Sequence, residues 1–331
     1  MTIAAPRPDS RDLDVTDGAA NLSDQIRRDL EAGRSQPLRP ADRLVHLPGV
    51  RRPTLGGREF LLTFAAAKAL GALHPRLARR ALLRFWFTPW VHPSARRPVR
   101  DLPVDLRPWQ GLGDGLTLTG FTGGHGPTVV LVHGWSGRAA DWRHLAHDLI
   151  ERGWRVVVPD LPGHGRSPGR RTDIFEMARG VAATFEQESP VAVVTHSMGY
   201  PATLLALESG APSPTRLVAL APGRRMSRAL EVFAARASLR PDLVSELRRA
   251  IEVRFGDDVW QVLDVDRSTP DLTFPGLVIH DVDDDEVPLG DARAVASGWP
   301  GADLVTTAGL GHRRILRDDE VRDLVASALD G

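Results

Sequence analysis

The most regular pattern lies in the second half of the chain, where short apolar runs alternate with amphipathic segments. The runs are rich in Val and Leu and do not alternate with polar residues, as expected for strands buried on both faces of a sheet. The predicted strands lie within residues 116–121, 127–134, 154–160, 191–196, 215–223, 276–281 and 302–309. Helices are predicted between them, within residues 139–153, 173–188, 198–210, 289–299 and 318–329. The alternation predicts an α/β fold, a mainly parallel sheet covered by helices on both faces.

One long interval breaks this alternation, because no strand is predicted between LVALAPG, ending at residue 223, and GLVIHD, beginning at residue 276. Its apolar residues mark two amphipathic helical faces, one around Leu230 and one around Leu247. Pro241 suits the first turn of the second helix, where the missing N–H has no partner in any case. We interpret residues 224–273 as a helical cap inserted into the domain.

The first 110 residues lack the alternation of strands and helices that is predicted for the rest of the chain. Residues 1–55 are rich in Pro, Asp, Arg and Gly and are predicted to be a flexible leader. Residues 56–110 are a predicted N-terminal helical extension, in which residues 59–91 are strongly apolar and Pro75 separates two helices. One interpretation is a helical hairpin packed on the main domain. The other is an interfacial segment with weak membrane or lipid contact, because aromatic residues cluster beside arginines.

Composition narrows the function classes. The chain has 331 residues, with 42 basic and 42 acidic side chains, and this neutral balance argues against a nucleic-acid partner. There is no cysteine, which excludes disulfides, thiolate nucleophiles and cysteine metal sites. The N-terminal residues lack an apolar signal core, so we expect a cytoplasmic protein. No metal or cofactor motif is evident, and we expect neither; the oligomeric state is not predicted.

Residues suited to covalent catalysis follow the ends of several predicted strands. The segments are HGWSG (133–137), THSMG (195–199), DVDDDEVP (281–288) and GLGH (309–312). An open parallel sheet binds its ligands at the carboxyl ends of its strands. A serine, several carboxylates and a histidine are therefore expected at one edge of the sheet.

These segments, together with PDLPGHGRS, resemble the α/β-hydrolase superfamily over about residues 115–330. The order of the catalytic residues in that fold is Ser, then Asp or Glu, then His. The resemblance implies that Ser197 is the nucleophile, in a sharp strand-to-helix turn that needs small neighbours such as Gly199. Threonine stands at position 195, where the usual pattern has glycine.

Serine needs an adjacent base, and the resemblance implies that His312 provides it. Similar hydrolases place the acid three residues before a Val-Pro pair, which selects Asp284, with Asp283 as the alternative. The other acidic residues of this loop are predicted to be solvated. The backbone N–H groups of Trp135 and Met198 are implied as the oxyanion hole.

Three further histidines receive structural predictions. His133 and His164 belong to loops in which the family uses histidine structurally, and the side chain of His196 should point away from the nucleophile. The leading hypothesis is a serine hydrolase that cleaves a small-molecule carboxylic ester or thioester through an acyl-enzyme. The alternatives are an acyltransferase on the same fold and a non-catalytic binding protein.

Overall fold

The computed structural model describes residues 42–44, for which only the backbone is considered, and residues 75–89, 105–236 and 239–330. In these residues one sheet has the strand order β1-β9-β8-β7-β6-β4-β5-β3-β2. Its strands are β1 (Asp42–Leu44), β2 (Arg107–Gly113), β3 (Leu116–Gly123), β4 (Thr128–Val132), β5 (Arg155–Asp160), β6 (Ala192–His196), β7 (Arg216–Leu220), β8 (Gly276–Asp281) and β9 (Ala302–Thr307). Neighbours from β1 to β5 in that order are parallel, and β3 is antiparallel to both β5 and β2. The predicted mainly parallel sheet is confirmed.

Helices lie on both faces of the sheet. They are α1 (Pro75–Trp86), α2 (Arg143–Glu151), α3 (Ile174–Glu188), α4 (Gly199–Glu208), α5 (Met226–Arg236), α6 (Pro241–Phe255), α7 (Val259–Val262), α8 (Leu289–Gly298), α9 (Gly311–Arg314) and α10 (Asp319–Asp330). In β4, Val130 and Val132 belong to one buried cluster, whereas Val129 and Leu131 belong to another. Successive strand residues point to opposite faces, so this continuous apolar run fills two cores.

The edge strand β2 was not predicted from the sequence. Its residues, RPWQGLG, include a proline and two glycines, which are depleted in strands. The strand forms because all seven residues pair in register with β3, and Trp109 is buried against α3, where its indole N–H donates to Glu188 at 2.7 Å. Tertiary packing overrides a weak local preference here.

Helix α1 packs on the helices inserted between β7 and β8. The rings of Phe85 and Trp86 lie 5.9 and 5.1 Å from the ring of Phe233 in α5, and the ring of Phe87 lies 5.9 Å from that of Phe255 in α6. These contacts agree with the interpretation of a segment packed on the domain. The preceding predicted helix and most of the predicted leader lie outside the described residues. None of the described helices is both long enough and apolar enough to cross a bilayer.

Candidate active site

Ser197 occupies a tight turn between β6 and α4. Its φ of 52° lies in the left-handed region, which is strained for a residue with a side chain. The N–H of Ser197 donates to the carbonyl of Leu220 at 3.0 Å, and its own carbonyl accepts from the N–H groups of Tyr200 and Gly223 at 3.1 and 3.2 Å. Contacts to the end of β7 thus hold the strained turn in place.

Small residues allow this turn to lie close to its neighbours. A Cβ on Gly199 would be 2.5 Å from the carbonyl oxygen of Val132, and a Cβ on Gly134 would be 2.8 Å from the Cβ of Ser197. At position 195 the threonine is fully buried, and its hydroxyl donates to the carbonyl of Val218 on the adjacent strand at 3.4 Å. The fold accommodates the branched side chain at this position.

The structure brings Ser197, His312 and Asp284 into one chain of hydrogen bonds. His312 Nε2 lies 3.0 Å from Ser197 Oγ, and His312 Nδ1 lies 2.7 Å from Asp284 Oδ2. Asp283, the alternative acid, instead accepts from the backbone N–H of Gly309 at 2.9 Å and is exposed. Of the two candidate carboxylates, Asp284 is therefore the one that is placed to orient the imidazole.

The carboxylate of Asp284 is kept ionised despite its burial. Its side chain is fully inaccessible, and Oδ1 accepts from the N–H groups of Glu286 and Val287 at 2.8 and 2.9 Å. Burial raises the pKa of Asp284. Three interactions outweigh it and hold the pKa below its usual value: the hydrogen bond from His312, the charge interaction with His312 and the hydrogen bond from the Val287 amide. A negative partner is thus available at Nδ1 at neutral pH.

Asp281 is not the solvated loop charge that the sequence predicted. Its side chain is 1% exposed and accepts four hydrogen bonds. Oδ1 accepts from the N–H groups of Asp283 and Gly311, and Oδ2 accepts from the Thr307 hydroxyl and the Leu310 N–H, at 2.8–3.0 Å. Asp281 therefore anchors the loop that carries His312. Its position as the last residue of a buried strand was the available sequence signal.

His196 contacts His312 through both its backbone and its ring, a role that sequence reasoning missed. Its Nε2 donates to the backbone carbonyl of His312 at 2.8 Å, and the two rings are 4.7 Å apart. Burial and the positive charge that His312 can carry hold the pKa of His196 well below its usual value. His196 thus acts as a neutral donor that fixes the backbone beside the imidazole.

His133 and His164 tie the loop after β4 to the loop after β5. Each accepts a backbone N–H on Nε2, from Leu161 and Ser136 respectively, at 3.0 and 3.1 Å. Each Nδ1 lies 2.8–3.0 Å from a carbonyl oxygen and therefore carries the proton. Burial lowers the pKa of both, so both stay neutral.

The backbone N–H groups of Trp135 and Met198 lie on two segments that pass close to each other. A Cβ on Gly134 would be 3.2 Å from the nitrogen of Met198, which directly precedes α4. Among the described residues, neither N–H group donates a hydrogen bond within the chain. The start of α4 also contributes the positive end of its helix dipole. Both groups are thus available to a bound oxygen.

Other charged groups near the inserted helices are paired with one another. Arg224 and Arg225, at the start of the insertion, form ion pairs with Asp264 and Asp266 at its end. These pairs join the two ends of the insertion, so the arginines already have anionic partners.

Within the described residues, one exposed group of potential metal ligands occurs at the surface, formed by Asp105, His147 and Glu151.

Comparison with known proteins shows which family the chain belongs to. A model of the Alpha/beta hydrolase family matches residues 129–324. The chain belongs to this family. A pimeloyl-acyl-carrier-protein methyl ester esterase of Xanthomonas oryzae is 28% identical over 237 residues, which cover 58% of this chain and 90% of that relative. The esterase of the same description from Vibrio atlanticus is 41% identical over 68 residues, which cover 20% of this chain and only 26% of that relative.

A solved structure supports the same assignment at the level of the fold. An esterase from Pyrococcus furiosus superimposes with a TM-score of 0.56 at 18% identity and covers 74% of this chain and 98% of that one. At this identity the likeness concerns the α/β-hydrolase fold alone.

Proposed function

We propose that the chain is a serine hydrolase that cleaves a carboxylic ester or thioester through an acyl-enzyme. The observation that carries the proposal is the hydrogen-bonded series from Asp284 through His312 to Ser197. The esterase names of the relatives and the family membership support ester hydrolysis as the reaction class.

In the first half of the reaction, Ser197 Oγ attacks the carbonyl carbon while His312 Nε2 takes the hydroxyl proton. Asp284 keeps the proton of the neutral imidazole on Nδ1 and stabilises the imidazolium that forms. The N–H groups of Trp135 and Met198 bind the oxyanion of the tetrahedral intermediate, and one such donor is generally worth about 10²–10³ in rate. The imidazolium then protonates the departing alcohol or thiol.

In the second half, water replaces the leaving group. His312 removes a proton from the water molecule, which attacks the acyl-enzyme, and Ser197 leaves with the proton returned from Nε2. The strained turn of Ser197 places Oγ at the carboxyl edge of the sheet, the edge at which open parallel sheets bind their ligands. One imidazole thereby serves as base and acid in both halves.

A fluorophosphonate probe tests the proposal, because it reacts preferentially with a serine that is activated by a neighbouring base. We expect the wild type to be labelled and to hydrolyse aryl esters, and Ser197→Ala to do neither. Ser209→Ala, at the other end of α4, is the matched control and should be labelled like the wild type. A correctly folded wild type that takes up no probe and hydrolyses no ester would contradict the proposal.

A further inference from the structure

A second carboxylate lies beside the reacting edge of the imidazole. Glu286 Oε2 is 3.9 Å from His312 Nε2, the atom that also faces Ser197 Oγ. The Glu286 side chain is 15% exposed, and its other oxygen, Oε1, lies 3.4 Å from Nε of Arg313. Asp284 contacts the opposite ring nitrogen, so Glu286 has a different position from the triad acid.

The position of Glu286 is set by the same residue that orients the histidine. Its backbone N–H donates to Asp284 Oδ1 at 2.8 Å. The carboxylate of Glu286 therefore starts from a backbone that is fixed relative to the imidazole. Its proximity to Nε2 follows from the architecture of the loop rather than from a long, free side chain.

A group that exchanges a proton with Nε2 must reach a ring atom that lies 3.9 Å from Glu286 Oε2. In an acyl-enzyme mechanism those groups are the leaving alcohol or thiol and the incoming acceptor, since the imidazolium protonates one and deprotonates the other. The acyl group, in contrast, is attached to Ser197 Oγ. A fixed charge at Glu286 therefore acts mainly on the alcohol side of the substrate.

We propose that Glu286 determines the charge preference of the alcohol side, favouring esters with a cationic or neutral alcohol and disfavouring those with an anionic alcohol. This inference rests on the proposed function. Arg313, whose side chain is 42% exposed, contacts Oε1, the oxygen other than the one nearest Nε2. A charge on the alcohol within about 7 Å of Glu286 is close enough for an interaction that water does not fully screen.

Three aryl acetates of similar shape test the proposal: 3-(trimethylammonio)phenyl acetate, 3-acetoxybenzamide and 3-acetoxybenzoate. The ratio of kcat/KM for the cationic ester to that for the anionic ester is measured in the wild type and in Glu286→Gln. Differences in leaving-group reactivity cancel when the two proteins are compared. We expect Glu286→Gln to lower this ratio by about tenfold, with the neutral ester changed least.

Two further variants separate a local effect from a general one. Asp285→Asn removes the same charge from the exposed neighbouring residue and should change the ratio less than about threefold, because solvent screens that position. Arg313→Gln removes the cation that contacts Oε1 of Glu286 and should raise the ratio by about threefold or more.

A ratio that changes less than about twofold in Glu286→Gln, or that changes equally in Asp285→Asn, overturns the inference. If Glu286→Gln is inactive on all three esters, an unchanged ratio in Arg313→Gln overturns it. A wild type that hydrolyses none of them and takes up no fluorophosphonate refutes the proposed function itself, whereas activity without this charge effect refutes only the role of Glu286.

Discussion

The two buried aspartates of the loop after β8 should respond differently to the same chemical change. Asp281→Asn and Asp284→Asn each keep the shape of the side chain and remove one negative charge. Asp281 accepts two hydrogen bonds on each oxygen, and in asparagine one oxygen becomes an NH₂ group that cannot accept. The least costly orientation of the asparagine points its NH₂ group at the Thr307 hydroxyl, which can turn to accept a hydrogen bond. This orientation still leaves the Leu310 N–H without its acceptor.

An unsatisfied buried donor costs about 1–3 kcal/mol, and the remaining bonds lose the assistance of the charge. We therefore expect Asp281→Asn to lower the free energy of unfolding by about 2–4 kcal/mol. Since Leu310 and Gly311 directly precede His312, relaxation of this loop should also displace the imidazole. A displacement of this kind can lower kcat about 10²-fold.

Asp284→Asn should lower the free energy of unfolding less than Asp281→Asn does, and it should lower kcat more. The amide oxygen can keep the two backbone hydrogen bonds that Oδ1 accepts, so the loss in unfolding free energy should be about 1 kcal/mol. The amide nitrogen then faces His312 Nδ1, which favours the tautomer with the proton on Nε2. That tautomer cannot accept the proton of Ser197, and the equivalent change in serine-protease triads lowers kcat by about 10⁴.

Urea unfolding at about pH 7.5 gives the two free energies, and steady-state hydrolysis of an aryl ester gives kcat and KM. The reasoning is refuted if Asp281→Asn unfolds within about 1 kcal/mol of the wild type. It is also refuted if Asp284→Asn retains kcat within about tenfold of the wild type.

Two further predictions concern the histidine and glycine positions around the site. Because burial holds the pKa of His164 well below its usual value, the unfolded state takes up its proton first as the pH falls, and stability is lost below about pH 6.5. Between about pH 7.5 and 5.5, the free energy of unfolding measured in urea should fall by about 1.3 kcal/mol less in His164→Gln than in the wild type. The same fall in both proteins would contradict the conclusion that His164 is neutral in the folded state. Gly199→Ala should cost about 2 kcal/mol and lower kcat, because its methyl group meets backbone carbonyl oxygens at the end of β4. Gly290→Ala, with open space around its Cβ in the first turn of α8, should leave kcat unchanged and be neutral or stabilising by up to about 1 kcal/mol; equal effects of the two glycine changes would exclude the steric explanation.

Much of the fold could be predicted from local pattern. The apolar runs at β4 to β9 are long enough to be strands and too short to be separate helices, and the amphipathic segments between them require a surface to cover. The helices α5 to α7 also lie within the interval where no strand was predicted. The edge strand β2 could not be predicted in the same way, because its proline and glycines disfavour a strand until β3 supplies the pairing.

In the candidate site, too, some features were predicted from the sequence and others were not. The motifs and the family resemblance predicted Ser197, His312 and Asp284, with Asp283 as the alternative acid. In the structure the first three side chains lie within hydrogen-bond distance of one another in series, although Ser197 and His312 are 115 residues apart in the chain. The burial of Asp281 and the contact of His196 with the carbonyl of His312 were not predictable. Both depend on how the loops after β8 and β9 fold against each other.

The sequence by itself determined that the apolar segments at β3 to β9 become strands, and hence which side chains lie near the carboxyl edge of the sheet. These properties depend on near neighbours in the chain, whose alternation and size act over a few residues. Only the tertiary structure decided that one aspartate of the acidic loop anchors the backbone, another contacts Nδ1 and a glutamate lies near Nε2. Those distinctions depend on ångström-scale distances between distant segments, and such distances are set by packing rather than by the local pattern.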